Sequence, residues 1–198
     1  MFKNKKEAAN ILAEELDEKI KQEADFVSAA TFDSLDTAEI LADKLGLPVN
    51  HVISTKLFVP GKRDLVFGAI SADGTIWLHD GMVNGFLIDR AFIEDYAKER
   101  KEVLQEELRE RGIENNRDIQ SKNMLMVADG ISSGMRMGAS LGSCIKRNIG
   151  TTYVASPFVS QHGERRLRDV ADEIFCVERP KFVASVREGY SSYEKTLI

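Results

Sequence analysis

The segment from Met124 to Ile145 constrains this chain most. Met124-Leu125-Met126-Val127 is a continuous apolar run, the pattern of a strand buried on both faces of a parallel sheet. Asp129-Gly130-Ile131-Ser132-Ser133-Gly134 follows, and a helical pattern then runs from Met135 to Ile145. A strand, a Gly/Ser loop and a helix N-terminus make a cradle for an anion. Backbone N–H groups converge there, and the helix dipole favours negative charge. The expected ligand group is a phosphate on a sugar, with the rest of the chain forming a sheet behind the loop and walls around it.

The flanking elements fit an α/β chain. Ala9, Leu12, Leu16 and Ile20 recur at helical spacing and predict a helix over residues 3–22. Asp25 to Thr31 reads as a strand. Asp36 with Glu39 reads as a capping box opening a second helix, which stops at Gly46 before Pro48. His51 to Lys56 is expected as a strand, followed by a turn at 60–63 and a hairpin around Ala72-Asp73-Gly74. Residues 91–111 form a long charged helix with a stripe of Ile93, Tyr96, Ala97, Leu104 and Leu108. It is expected to be an exposed arm, a flap or a subunit contact. Glu114 to Asn123 reads as polar loop. After the phosphate loop, Met137, Leu141, Cys144 and Ile145 share a helix face, and Gly138 and Gly142 let that helix lie close to a sheet. A strand at 151–156 ended by Pro157, a short helix at 165–171 and a last strand at 173–177 complete the alternation. Such alternation predicts a doubly wound, mainly parallel sheet with flanking helices and a small hood.

Bulk properties narrow the function. At 198 residues the chain is expected to be one domain. With 43% hydrophobic and 30% charged residues it can build a core without staples. The net charge of −5 offers no general attraction to nucleic acid or to anionic membrane. Cys144 and Cys176 lack metal spacing and read as reduced, buried thiols. No apolar run has membrane-spanning length and the N-terminus lacks a leader pattern, so a cytoplasmic protein is expected. The P-loop lysine pattern is absent. His51, His79 and His162 have no partners at ligand spacing and read as structural, as do Trp77 and Phe67 as core. Arg165, Arg166 and Arg168 read as a solvated helix face. Tyr190 and Tyr193 lie in a tail that either packs on the domain or offers rings to a base.

The segment Ala128-Asp129-Gly130-Ile131-Ser132-Ser133-Gly134 resembles the phosphoribosyl pyrophosphate signature of type I phosphoribosyltransferases. Val59-Pro60-Gly61, Phe67-Gly68-Ala69-Ile70, Ala155-Ser156-Pro157, Ala171-Asp172-Glu173 and Pro180-Lys181-Phe182 resemble an uncharacterised branch of that family. In motif order the resemblance runs from about residue 25 onward. It implies a parallel sheet and a hood made partly by the terminal segments, with the 91–112 helix another candidate for hood or flap. It implies Asp129 on the ribose hydroxyls, with the amides from Ile131 to Arg136 and the hydroxyls of Ser132 and Ser133 on the 5′-phosphate. Gly130, Gly134 and Met135 are expected among the residues that bind the 5′-phosphate and ribose. Lys56, otherwise a solvated strand-end lysine, would reach the pyrophosphate, and Mg²⁺ would arrive on substrate oxygens. Asp33 and Ser34 fall in the loop that wraps pyrophosphate. The implied activity is transfer of ribosyl 5-phosphate from phosphoribosyl pyrophosphate to a base or other nucleophile, by a homodimer.

Three departures bear on the donor. Ala128 replaces the first acid of the usual pair, Phe32-Asp33-Ser34 replaces the branch's Arg-Gly-Gly, and Arg136 replaces a common threonine. The first two weaken pyrophosphate binding, whereas Arg136 gives a phosphate a charge-assisted partner. The alternative expectation is therefore a catalytically impaired protein of the same fold that senses a nucleotide or other phosphate ligand. A third is an interaction module built on the charged helix.

Overall fold

A computed structural model describes residues 1–113 and 118–193. The predicted loop at 114–123 therefore lies partly outside the described residues. Helices α1 (Lys5–Glu15) and α2 (Glu18–Glu23) lead into β1 (Phe26–Ala29), and α3 (Leu35–Leu45) follows. Strands β2 (Ser54–Val59), β3 (Lys62–Ser71) and β4 (Ile76–Leu78) precede α4 (Asp80–Gly85) and α5 (Arg90–Glu110). The chain ends through β5 (Met124–Val127), α6 (Met135–Lys146), β6 (Thr152–Phe158), α7 (Gln161–Leu167) and β7 (Glu173–Glu178).

Two sheets result. The central one is parallel, in the order β1-β5-β6-β7, and the second is an antiparallel meander of β2, β3 and β4. Alternation along the central strands splits the core. Leu125 and Val127 face Leu12, Leu16, Leu41 and Leu104 on one side, while Met124 and Met126 face Met137, Leu141 and Leu167 on the other. The central sheet is thus covered by helices on both faces, the expected doubly wound arrangement.

Several expectations change in detail. The predicted first helix breaks after Glu15, where Leu16 turns out of helical ψ and Asp17 caps a new helix through Lys19 N–H. The expected capping box at Asp36 is instead formed by Thr31 and Ser34 around a single 3₁₀ turn. The predicted strand 51–56 divides. Residues 49–54 lie along the outer edge of β1, with Asn50 and Val52 donating to Val27 and Ala29, and β2 then departs into the second sheet. Pro157 lies inside β6, beyond the last β5 pair at Ala155, so its missing N–H breaks no ladder. The short helix starts at Gln161 rather than Arg165, capped by Ser160. Ile145 is exposed, leaving Met137, Leu141 and Cys144 as the buried face of α6.

Helix α5 lies along the antiparallel sheet with Ile93, Ala97, Leu104 and Leu108 buried. Gly138 and Gly142 permit close approach, but to the second sheet: a Cβ on Gly138 would stand 2.8 Å from the Trp77 ring. Both cysteines are buried and free. No helix among the described residues is long and apolar enough to cross a membrane.

Candidate functional site

Counting the edge segment at 49–54, the parallel strands run in the chain order second, first, third, fourth, fifth. Connections from the first and third of these diverge to opposite faces, which opens a crevice at their carboxyl ends. The loops after β1 and β5 meet there around a cavity of about 230 Å³. Three cations, Lys56, Arg136 and Arg187, and two carboxylates, Asp33 and Asp129, line it.

The β5–α6 loop forms the floor. Gly134, the N-cap of α6, has φ +74°, a conformation that favours glycine. Gly130 answers a different need. A Cβ there would lie 2.4 Å from Phe158 Cζ and 2.9 Å from Val186 Cγ1. Ile131 N–H donates to the Phe158 carbonyl at 2.9 Å, so this amide is already used. The amides of Ser132, Ser133, Gly134, Met135 and Arg136 donate to no described residue, and they form the start of α6. Met135 contributes backbone only, since its side chain is buried against Ala69 and Ala139. The Ser132 hydroxyl donates to the Val183 carbonyl at 2.8 Å, which ties the loop to the C-terminal tail. Arg166 donates to the Ser133 carbonyl at 2.8 Å, so one arginine of the expected solvated face braces the loop instead.

Asp129 is 1% exposed. Lys5 Nζ stands 3.5 Å from its Oδ2, and the Tyr193 hydroxyl donates to the same oxygen. Burial pushes the Asp129 carboxyl up from its ordinary value, while the Tyr193 hydrogen bond and the Lys5 charge oppose that shift. Tyr193 is pushed up by burial and by the Asp129 charge, so it keeps its proton and donates it. The Tyr190 hydroxyl donates to the Asp129 carbonyl. Both tail tyrosines therefore bond to Asp129, and Tyr193 also lines the cavity.

Asp33 lies on the 3₁₀ turn after β1, and its carboxylate stands 3.5 Å from Arg136 Nη1. Ser34 is buried with its hydroxyl bonded to the Thr31 carbonyl at 2.9 Å, so it supplies no cavity wall. Lys56 lies mid-strand on β2, opposite Ala69, rather than at the end of a parallel strand. It still reaches the cavity, where burial and the nearby Arg136 lower its pKa and Asp33 raises it.

Lys5 is one lysine among three in the first six residues, and nothing in the sequence separates it from a solvated face. Its pairing needs α1 packed on one face of the sheet with its first turn at the carboxyl ends of the strands. Arg187 was equally invisible. Tyr193 was singled out, although its partner was not.

No family model matches the chain. A Mycobacterium tuberculosis protein named "Putative phosphoribosyl transferase MT0597" is 28% identical over 159 residues, which is 79% of this chain and 35% of the relative. The chain thus spans about a third of the length of the curated relatives it matches. The crystal structure of TT1426 from Thermus thermophilus superposes with TM-score 0.76 at 23% identity, covering 98% of this chain and 92% of that one. Adenine phosphoribosyltransferase from Thermoanaerobacter pseudethanolicus superposes with TM-score 0.51 at 11% identity, over 86% and 80% of the two chains. In sequence the chain is similar to proteins named as putative phosphoribosyl transferases, and its fold is that of the phosphoribosyltransferases it superposes on.

Proposed function

We propose that the chain binds a ribosyl 5-phosphate moiety in the 130–136 loop and transfers it from phosphoribosyl pyrophosphate to a base or other nucleophile. The observation that carries this reading is the set of five amides from Ser132 to Arg136 that donate to no described residue. They sit at a helix N-terminus in the crevice, with a buried carboxylate at Asp129 just before them. Helix dipole and amides favour the phosphate. Asp129 accepts from ribose hydroxyls and favours positive charge developing at the anomeric carbon. In this reading Lys56, which lines the cavity, neutralises the leaving group. The tail residues Ala184 to Arg187 wall the cavity, which limits water around the ribose.

Among the described residues no three His, Cys, Asp or Glu side chains gather to hold a metal, and Asp129 already pairs with Lys5. This donor set suits Mg²⁺ carried in on the pyrophosphate oxygens as part of the substrate. The reading carries with it a homodimer in the cytoplasm and a place in nucleotide metabolism.

A second reading rests on Asp33. Its carboxylate lies in the cavity wall where pyrophosphate would lie, paired with Arg136, and Ala128 leaves the ribose side one acid short. Both features favour a monophosphate over a diphosphate, as in a nucleotide sensor. Isothermal titration separates the two. Saturable binding of phosphoribosyl pyrophosphate with Mg²⁺, weakened in Lys56→Met, supports transfer. Binding of a nucleoside monophosphate without the donor supports the sensor, and binding of neither refutes both.

A further inference from the structure

Asp129 does not meet the cavity as a bare carboxylate. Its Oδ2 is occupied by Lys5 Nζ and by the Tyr193 hydroxyl, while no described residue donates to Oδ1. Lys5 arrives on α1, fixed from behind: its Nζ also donates to the Asp33 carbonyl at 2.7 Å. Tyr193 arrives from the tail and lines the cavity together with the phosphate-loop residues. The tail has anchors besides Tyr193, whose ring lies 4.5 Å from Lys5 Nζ and 5.4 Å from the Tyr190 ring. Tyr190 is buried and packs on Phe2 and Phe158, and Ser191 and Ser192 donate to the carbonyls of Phe2 and Lys3. Tyr193 is only half-buried at the edge of that cluster.

We propose that Tyr193 sets the specificity of the site. Its phenol hydroxyl stands where a sugar hydroxyl meets Asp129, and a phosphorylated furanose with two free vicinal hydroxyls displaces it. The inference rests on the ribose-phosphate reading and deepens it. A vicinal diol can donate to both carboxylate oxygens at once. Such a ligand replaces the bond Tyr193 gives up and adds another at Oδ1. A ligand with one hydroxyl only exchanges one bond for one, at no gain. Inorganic phosphate needs the amides alone, so it binds with Tyr193 in place. Lys5 keeps its position throughout, its charge opposing the upward shift that burial gives Asp129.

The test is titration of ribose 5-phosphate, 2-deoxyribose 5-phosphate and inorganic phosphate into the wild-type chain and into Tyr193→Phe. Removing a hydrogen bond to a charged group should tighten ribose 5-phosphate about tenfold in Tyr193→Phe, with inorganic phosphate changed by less than about twofold. In the wild-type chain 2-deoxyribose 5-phosphate should bind no better than inorganic phosphate. Unchanged or weaker ribose 5-phosphate binding in Tyr193→Phe overturns the inference and leaves the ribose-phosphate reading standing. Equal binding of ribose and deoxyribose phosphates to the wild type does the same. Absence of ribose 5-phosphate binding to both proteins removes the reading and the inference together. The wild-type protein with ¹³C-labelled tyrosine gives a check that needs no folded variant. The Tyr193 ring signal should move with ribose 5-phosphate and not with phosphate, and a static signal at saturating ribose 5-phosphate refutes displacement.

Discussion

Gly130→Ala probes the closeness of the phosphate loop to its wall. The added Cβ would stand 2.4 and 2.7 Å from Phe158 Cζ and Cε2, and 2.9 Å from Val186 Cγ1. Ordinary contact begins near 3.4 Å, so the ring would have to retreat by about 1 Å. It has nowhere to go. Phe158 is 2% exposed, and Gly189 presses on its other side so closely that a Cβ there would be 2.1 Å from Cε1. Phe2 stacks on it with centroids 6.4 Å apart. Overpacking against so confined a ring costs about 3 kcal/mol, and the gain from stiffening the unfolded chain returns about 1 kcal/mol. The net loss of about 2 kcal/mol corresponds to a fall in Tm of about 4–8 °C at this chain length. Urea unfolding of wild type, Gly130→Ala, Phe158→Leu and the double variant measures it. The smaller leucine gives the new methyl room, so the double variant should be more stable than additivity predicts by about 1 kcal/mol. A single variant within about 0.5 kcal/mol of wild type, or an additive cycle, refutes the steric account.

Two further predictions concern charge. His51 accepts from Ala29 N–H through Nδ1, and burial lowers its pKa from 6.5 to about 4. Its folded pKa is depressed, so the unfolded chain binds the proton first. Its contribution is fully present above about pH 6.5 and lost as pH falls toward 4, a change of up to about 3 kcal/mol. The stability difference between wild type and His51→Leu, followed by denaturant unfolding over that range, should carry this slope, and a flat difference refutes it. Lys5→Met removes one partner of a pair whose side chains are 9% and 2% exposed, and should cost about 3–5 kcal/mol near neutral pH. The Asp129 pKa is already raised, and without Lys5 it rises further, so the folded variant takes up a proton more readily than the unfolded chain. The loss should therefore shrink as pH falls toward 4, and a loss that is equal at pH 8 and pH 4 refutes the pairing.

Much of the fold was legible because local chemistry wrote it. The Met124–Val127 run, the loop and the α6 pattern stand where their residues predicted. Gly46 ends α3 in the left-handed conformation, as expected of a glycine before Leu47-Pro48. Misreadings arose where tertiary pairing overrode local pattern. The 51–56 stretch has strand composition throughout, and only the position of two sheets decides that it serves the edge of one and the start of another. The two halves of the site differ in the same way. Gly130 to Arg136 are contiguous, so their spacing alone reports a cradle. Lys5, Asp129 and Tyr193 are separated by more than a hundred and by sixty-four residues, and nothing local to any of them marks the meeting.

The sequence by itself determined the α/β class, the phosphate loop and the departures at Ala128 and Asp33, since each depends on residues within a few positions of one another. Only the tertiary structure decided that Arg136 pairs with Asp33, that Arg166 braces the loop and that both chain ends converge on Asp129. The convergence on Asp129 exists because the first turn of α1 and the tail pack at the carboxyl ends of the strands, and burial there turns ordinary surface residue types into partners of a single buried acid.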